Sequence, residues 1–176
     1  MRIATVLAAA ALAAAWGQTI KLPDGVERLA AKAEDSFEVT MDKAMLQLAG
    51  RFLSGKGDEA KTRKLLGGLE SIYVRSFTFA REGEYNAADL DTLRAQFQAP
   101  AWSRIAGVRS KQGGENVDVF VKDAGNGRVA GAVVIATEPR ELTYIHIAGM
   151  LDPSDLADLG GQFHIPHFAI HGERGR

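Results

Sequence analysis

Four histidines are the residues of this chain best suited to chemistry: His146, His164, His167 and His171. The last three spell H-x2-H-x3-H close to the C-terminus. Imidazoles at such a spacing could share a metal ion if the segment were helical. Pro166 stands between the first two and opposes a helix. No cysteine can add a thiolate, and no acid lies among them. The three are weak metal candidates on what reads as a polar tail. His146 lies in an alternating stretch, beside Tyr144 and on the face opposite Ile145 and Ile147. A catalytic imidazole needs an acid or nucleophile within hydrogen-bond reach, and the neighbouring sequence supplies none. A histidine hydrogen-bonded within a sheet is the simpler expectation.

Other signatures fall short. Gly50-Arg-Phe-Leu-Ser-Gly55-Lys56-Gly57 approaches a phosphate-binding loop, but Gly57 stands where a hydroxyl must hold magnesium. The segment also reads as a helix end followed by a turn, with Lys56 near the negative end of the helix dipole. No G-x-S-x-G elbow occurs. Asp89 and Asp91 fall at a helix start, where carboxylates cap and neutralise. No catalytic residue and no cofactor follow from these patterns. Gly107, Gly131 and Gly149 lie in strand-like runs, where glycine marks a bulge, close packing or a ligand's approach. The candidate groove for a ligand or partner is therefore Gly131, Tyr144 and His146.

These residues are positioned by the stretch from Trp102 to Gly149, which reads as four strands. Val117-Asp-Val-Phe-Val121, then Asp123-Ala-Gly-Asn-Gly127, then Val129 to Thr137 form a hairpin signal around an Asn-Gly turn. Glu138-Pro139-Arg140-Glu141 turns the chain into Leu142 to Gly149. Connections this short join antiparallel neighbours. Upstream, Val26, Leu29, Ala30 and Ala33 share one face of a short helix begun at Asp24, and Ser36 to Thr40 reads as a strand. Met41, Met45, Leu48, Ala49 and Phe52 recur at helical spacing between Asp42 and Leu53, which predicts a core-facing stripe. Leu65, Leu66 and Leu69 give the next helix its seam, closed by Gly67-Gly68. Ile72 to Ala80 is apolar on both faces and predicts an interior strand. Asn86 caps a helix carrying Leu90, Leu93 and Phe97, and Asp152 caps another carrying Leu156 and Leu159. The sum is α+β: an antiparallel sheet of about five to six strands, with helices mainly on one face.

The first 17 residues stand apart. Met1-Arg2 is a short positive start, Ile3 to Ala15 an apolar run, and Ala15-Trp16-Gly17 a small-residue cleavage site. That is the pattern of a secretory signal peptide, and the run is shorter than the roughly 20 residues a membrane-spanning helix needs. The expected organisation is a signal peptide over 1–17, one α+β domain over 18–163 and a flexible tail over 164–176. The chain holds 21 basic and 22 acidic residues, and cleavage removes Arg2. Without a basic excess, a nucleic-acid partner is not expected. The lack of cysteine excludes disulfides, thiolate metal sites and a lipidated cysteine, so no stable membrane anchor is expected after cleavage.

Several of these segments together resemble a known family. They are Phe37-Glu-Val-Thr-Met-Asp-Lys-Ala-Met-Leu46, Ile72-Tyr-Val, Trp102-Ser-Arg-Ile, Val117-Asp-Val-Phe-Val-Lys122, Gly127-Arg-Val-Ala-Gly131, and Glu141-Leu-Thr-Tyr-Ile-His-Ile-Ala-Gly149 with Asp152. The chain resembles, from about Ile20 to Phe163, an exported bacterial family catalogued as domain of unknown function 4252. The resemblance implies an envelope protein encoded near extracytoplasmic sigma and anti-sigma factors, hence a setting in envelope stress or signalling. The resulting expectation is a periplasmic or extracellular, non-enzymatic binding or regulatory module with an envelope protein as partner. The alternative is a small periplasmic enzyme or metal-binding protein working through His146 or the tail histidines.

Overall fold

A computed structural model describes residues 24–53, 56–110, 114–152 and 154. The elements run α1 (Asp24–Ala30), β1 (Asp35–Asp42), α2 (Lys43–Arg51), α3 (Asp58–Gly68), β2 (Leu69–Thr78), α4 (Ala87–Arg94), β3 (Trp102–Val108), β4 (Asn116–Asp123), β5 (Val129–Glu138) and β6 (Glu141–Leu151). The expected signal peptide, the helix with Leu156 and Leu159, and the tail with His164, His167 and His171 lie outside the described residues.

All six strands form one antiparallel sheet in the order β1-β2-β6-β5-β4-β3. The expected meander from β3 to β6 is present. The β4–β5 turn is set by three successive left-handed residues, Gly125, Asn126 and Gly127, with Asp123 Oδ1 accepting the Gly125 N–H at 2.7 Å. Glycine and asparagine are the residues that take such angles cheaply. β2, the interior strand foreseen from its two apolar faces, pairs with β6 rather than with a sequence neighbour on its inner side.

The helices are divided between the faces, not gathered mainly on one. Tyr73, Phe77, Phe120, Val133, Ile135, Leu142 and Tyr144 point to one side and meet Val26 and Leu29 of α1 and Leu93 of α4. Val121, Ala132 and Ile147 point to the other and meet Leu46 of α2 and Leu65 of α3. The cause is in the strands themselves. β4 and β5 read as near-continuous apolar runs, so both faces need cover. On the second face, Val39, Val74, Ile145, Val134, Val119 and Ala106 form one row across all six strands. Each fully buried aromatic or aliphatic side chain contributes about 1.5–3 kcal/mol of transfer free energy.

Local signals fix the helix starts. Asp42 Oδ1 accepts the Met45 N–H at 2.8 Å and begins α2. Asn86 and Asp89 exchange side-chain and backbone bonds, both 3.1 Å, in a capping box that begins α4. The stripe on α2 is the main correction. Met45, Leu48 and Phe52 are 51%, 52% and 83% exposed, and the helix buries Leu46 and Gly50 instead. Gly50 faces α3, and a Cβ there would lie 3.9 Å from Arg63 Cγ and Leu66 Cδ1, at ordinary contact distance. A short helix packed by Leu46 and a glycine turns its bulkier apolar stripe outward.

Candidate functional site

The alternation of β6 puts Leu142, Tyr144 and His146 on the face that carries α1 and α4. His146 is flanked by Tyr73 on β2 and Val133 on β5, and its ring is 6.1 Å from that of Trp102. Among the described residues, its buried Nδ1 has no hydrogen-bond partner. The expected hydrogen-bonded sheet histidine is thus not what forms at Nδ1, because the ring is walled by apolar and aromatic neighbours. Burial first, and the nearby Lys122 charge second, hold the imidazole below its ordinary range. Among the described residues, no three His, Asp or Glu side chains gather where they could hold a metal.

The remaining members of the candidate groove serve the scaffold. Tyr144 is 2% exposed, with ring contacts of 6.3 Å to both Tyr73 and Phe97. Burial pushes its hydroxyl far up, with Tyr73 adding to the effect. Gly131 sits where β5 slips register against β6, and a Cβ there would stand 2.8 Å from the Ile147 carbonyl oxygen. Gly149 has φ +142°, and a Cβ on it would lie 2.5 Å from the Gly68 carbonyl oxygen. These glycines mark close backbone contacts.

The strongest electrostatic feature lies on β3, β4 and α4. Asp118 is 1% exposed, and three arginines meet its carboxylate. Arg94 Nε donates to Oδ2 at 2.8 Å, and Arg109 Nη2 donates to Oδ1 at 2.7 Å. Arg104 Nη2 lies 2.5 Å from Oδ1. Burial by itself would raise the Asp118 pKa, but the hydrogen bonds from Arg109, Arg94 and Arg104 and the Arg94 charge outweigh it and hold the carboxyl below its usual range. Gly107, across from Asp118 on β3, is what lets Arg104 reach: a Cβ there would fall 1.9 Å from Arg104 Nη2. Sequence reading missed this cluster. One signal was available, since an acid facing the same way as Phe120 in an otherwise apolar strand must find partners when buried.

A third feature is apolar and open. β1 is an edge strand, and its register with β2 runs unbroken from Asp35↔Thr78 to Asp42↔Ser71. Phe37, on the face of Val39 and Met41, is 59% exposed. The outward stripe of α2, Met45, Leu48 and Phe52, follows directly in the chain. On the opposite face of the same strand, Glu38 pairs with Arg75. Glu34 and Asp35 precede it, so the edge is acidic as well as apolar. No helix among the described residues is long and apolar enough to cross a membrane.

No curated protein matches the chain at a meaningful level of similarity. A family model does: the one described as "Domain of unknown function (DUF4252)" matches residues 31–159, from the end of α1 through β6 and beyond. That span takes in the whole sheet and most of the sequence, so the chain belongs to the DUF4252 family.

Proposed function

We propose that this protein is a non-enzymatic binding module exported to the cell envelope, and that it docks a segment of an envelope protein along β1. The observation that carries this reading is the β1 edge, which pairs with no strand but β2 among the described residues, is unbroken in register and is flanked by exposed Phe37 and the α2 stripe. Main-chain groups on a regular edge can accept an added strand, and alternate side chains then give specificity. The segment this edge fits is extended and amphipathic: apolar where it lies beside Phe37 and Val39, basic where it lies beside Glu38. Sigma and anti-sigma signalling, the setting suggested by the resemblance of the sequence, is one in which such a docked segment would regulate. The signal-like pattern over 1–17 supports export. The alternative, an enzyme or metal protein using His146, has less support, since Nδ1 meets no acid or hydroxyl among the described residues.

The test is an NMR titration with a synthetic strand peptide alternating valine and lysine. Amide shifts centred on residues 35–42, absent with an alternating valine–glutamate peptide and lost in Phe37→Asp, are the expected result. Shifts centred on β3, or none at all, would remove the docking proposal. Export is checked separately, by fractionating cells and weighing the mature N-terminus; a full-length cytoplasmic product would remove that part.

A further inference from the structure

We infer that the arginine cluster around Asp118 is a binding site for a phosphate-type oxyanion, independent of the β1 edge. Three guanidinium groups converge on a single carboxylate, leaving positive charge in excess at that point. Asp91, 3.4 Å from Arg94 Nη1, offsets part of it. The excess is spent on no other described side chain. Among the described residues Arg104 pairs with Asp118 alone, through Nη2, which leaves its Nε and Nη1 donors without a described partner. Arg109 uses Nη1 on the Val108 and Val117 carbonyls and Nη2 on Asp118, which fixes the guanidinium plane. The Arg104 and Arg109 side chains are nearly half exposed, so an anion can reach them from solvent.

The arrangement differs from a scatter of surface arginines in one respect: it is pre-organised. Asp118 is almost fully buried and holds three long side chains in one place, which removes most of the ordering cost an arriving anion would otherwise meet. Gly107 carries the same implication. Its missing Cβ is the space in which the Arg104 guanidinium lies. Planar guanidiniums with free forked donors suit the oxygens of phosphate better than a spherical halide. The free anion and the headgroup of a phospholipid share that chemistry, and the experiment separates them.

Inorganic phosphate is titrated into the full chain at constant ionic strength made up with chloride, while the arginine Nε–H resonances are followed by NMR. Saturable shifts at Arg94, Arg104 and Arg109, with no such response to chloride, are expected. Arg104→Ala should weaken phosphate binding about tenfold, the value of one charge-assisted hydrogen bond. Gly107→Ala keeps every charge but displaces Arg104, and should weaken binding several-fold. It also stands in for Arg104→Ala if that variant does not fold. Non-saturable shifts, equal shifts with chloride, or unchanged affinity in Gly107→Ala would overturn the site. A parallel arm uses phosphatidylglycerol vesicles against phosphatidylcholine vesicles. Sedimentation with the former alone, reduced in Gly107→Ala, assigns the anion to a lipid headgroup; phosphate binding without sedimentation assigns it to a soluble phosphate. A failed peptide titration at β1 would leave these outcomes untouched, because the two sites share no residue.

Discussion

β1 and β3 close the same sheet at its two ends, and they handle an exposed backbone in opposite ways. β1 pairs through eight residues without a slip, shows Phe37 to solvent and leads into a helix whose apolar stripe faces outward. β3 slips register between Arg104 and Ala106 and sends arginines back over its own inner neighbour to Asp118. Bulges and charges are the devices that stop a sheet edge from recruiting another strand. Ile105 is exposed on β3, but it sits at that irregularity. One edge is therefore regular, apolar on one face and acidic on the other, and the other edge is bent with basic side chains folded back over the sheet. The two proposals, strand addition at β1 and anion binding beside β3, rest on that difference more than on any single residue.

The largest effect that could break the comparison is at Asp118. Asp118→Ala leaves three arginines converging on nothing. Partial exposure of the arginines tempers the loss, so about 2–3 kcal/mol of stability should disappear in urea unfolding. Glu38→Ala, its counterpart beside β1, should cost about 1 kcal/mol, because Glu38 is half exposed and the pair is screened on that side although Arg75 is largely covered. Equal costs would mean that the two ends do not differ in how they use charge.

Acid comes next. Asp118 is held below the usual carboxylate range, so the stability it contributes is full above that range and is lost as pH falls from it toward the lower value of the folded state. His146 is also held low, but as a base: the unfolded chain takes up a proton first, so stability falls as pH drops below the ordinary imidazole range. The two losses occupy separate windows. Asp118→Asn should flatten the lower one and His146→Phe the upper, in unfolding followed from pH 8 to pH 2. A profile in which Asp118→Asn flattens the upper window would reassign the titrating groups.

A smaller effect concerns the open surface. Leu48→Ser combined with Phe52→Ser should lower binding of a hydrophobic dye by more than half, while stability moves within about 0.5 kcal/mol. Ile105→Ser on β3 should leave dye binding nearly unchanged. The smallest expected change is in Gly107→Ala, within about 0.5 kcal/mol in unfolding, since the added methyl aids the strand while one half-exposed ion pair shifts.

The fold was largely legible in the amino-acid order because its signals are local. Alternation from Val117 to Val121, the Asn126-Gly127 turn and the Asn86 cap each depend on a few adjacent residues. Two things were not local. Met45, Leu48 and Phe52 share helical spacing as well as Leu46 and Gly50 do, and spacing alone does not say which stripe meets the sheet; the cluster that takes in Leu46, Leu65, Leu69 and Ile147 forms only in the assembled fold. The arginines around Asp118 come from α4, β3 and the segment just after β3, so only the assembled sheet brings them together. His146 stood out by residue type, yet its surroundings were set by β2, β5 and Trp102, which no local pattern names.

The place of β6 bears on how the chain is made. It is the last of the described strands to be synthesised, and it lies in the middle of the sheet. Without it, β1–β2, joined through α2 and α3, and the β3–β4–β5 meander share no strand pairing, and each has an inner edge that only β6 fills. Leu69 must then find Gly149 across the whole intervening chain. Such closure is slow, because the entropy of joining distant segments is spent before their contacts form. A chain arranged this way cannot close its sheet until β6 has emerged, however early the other five strands are made.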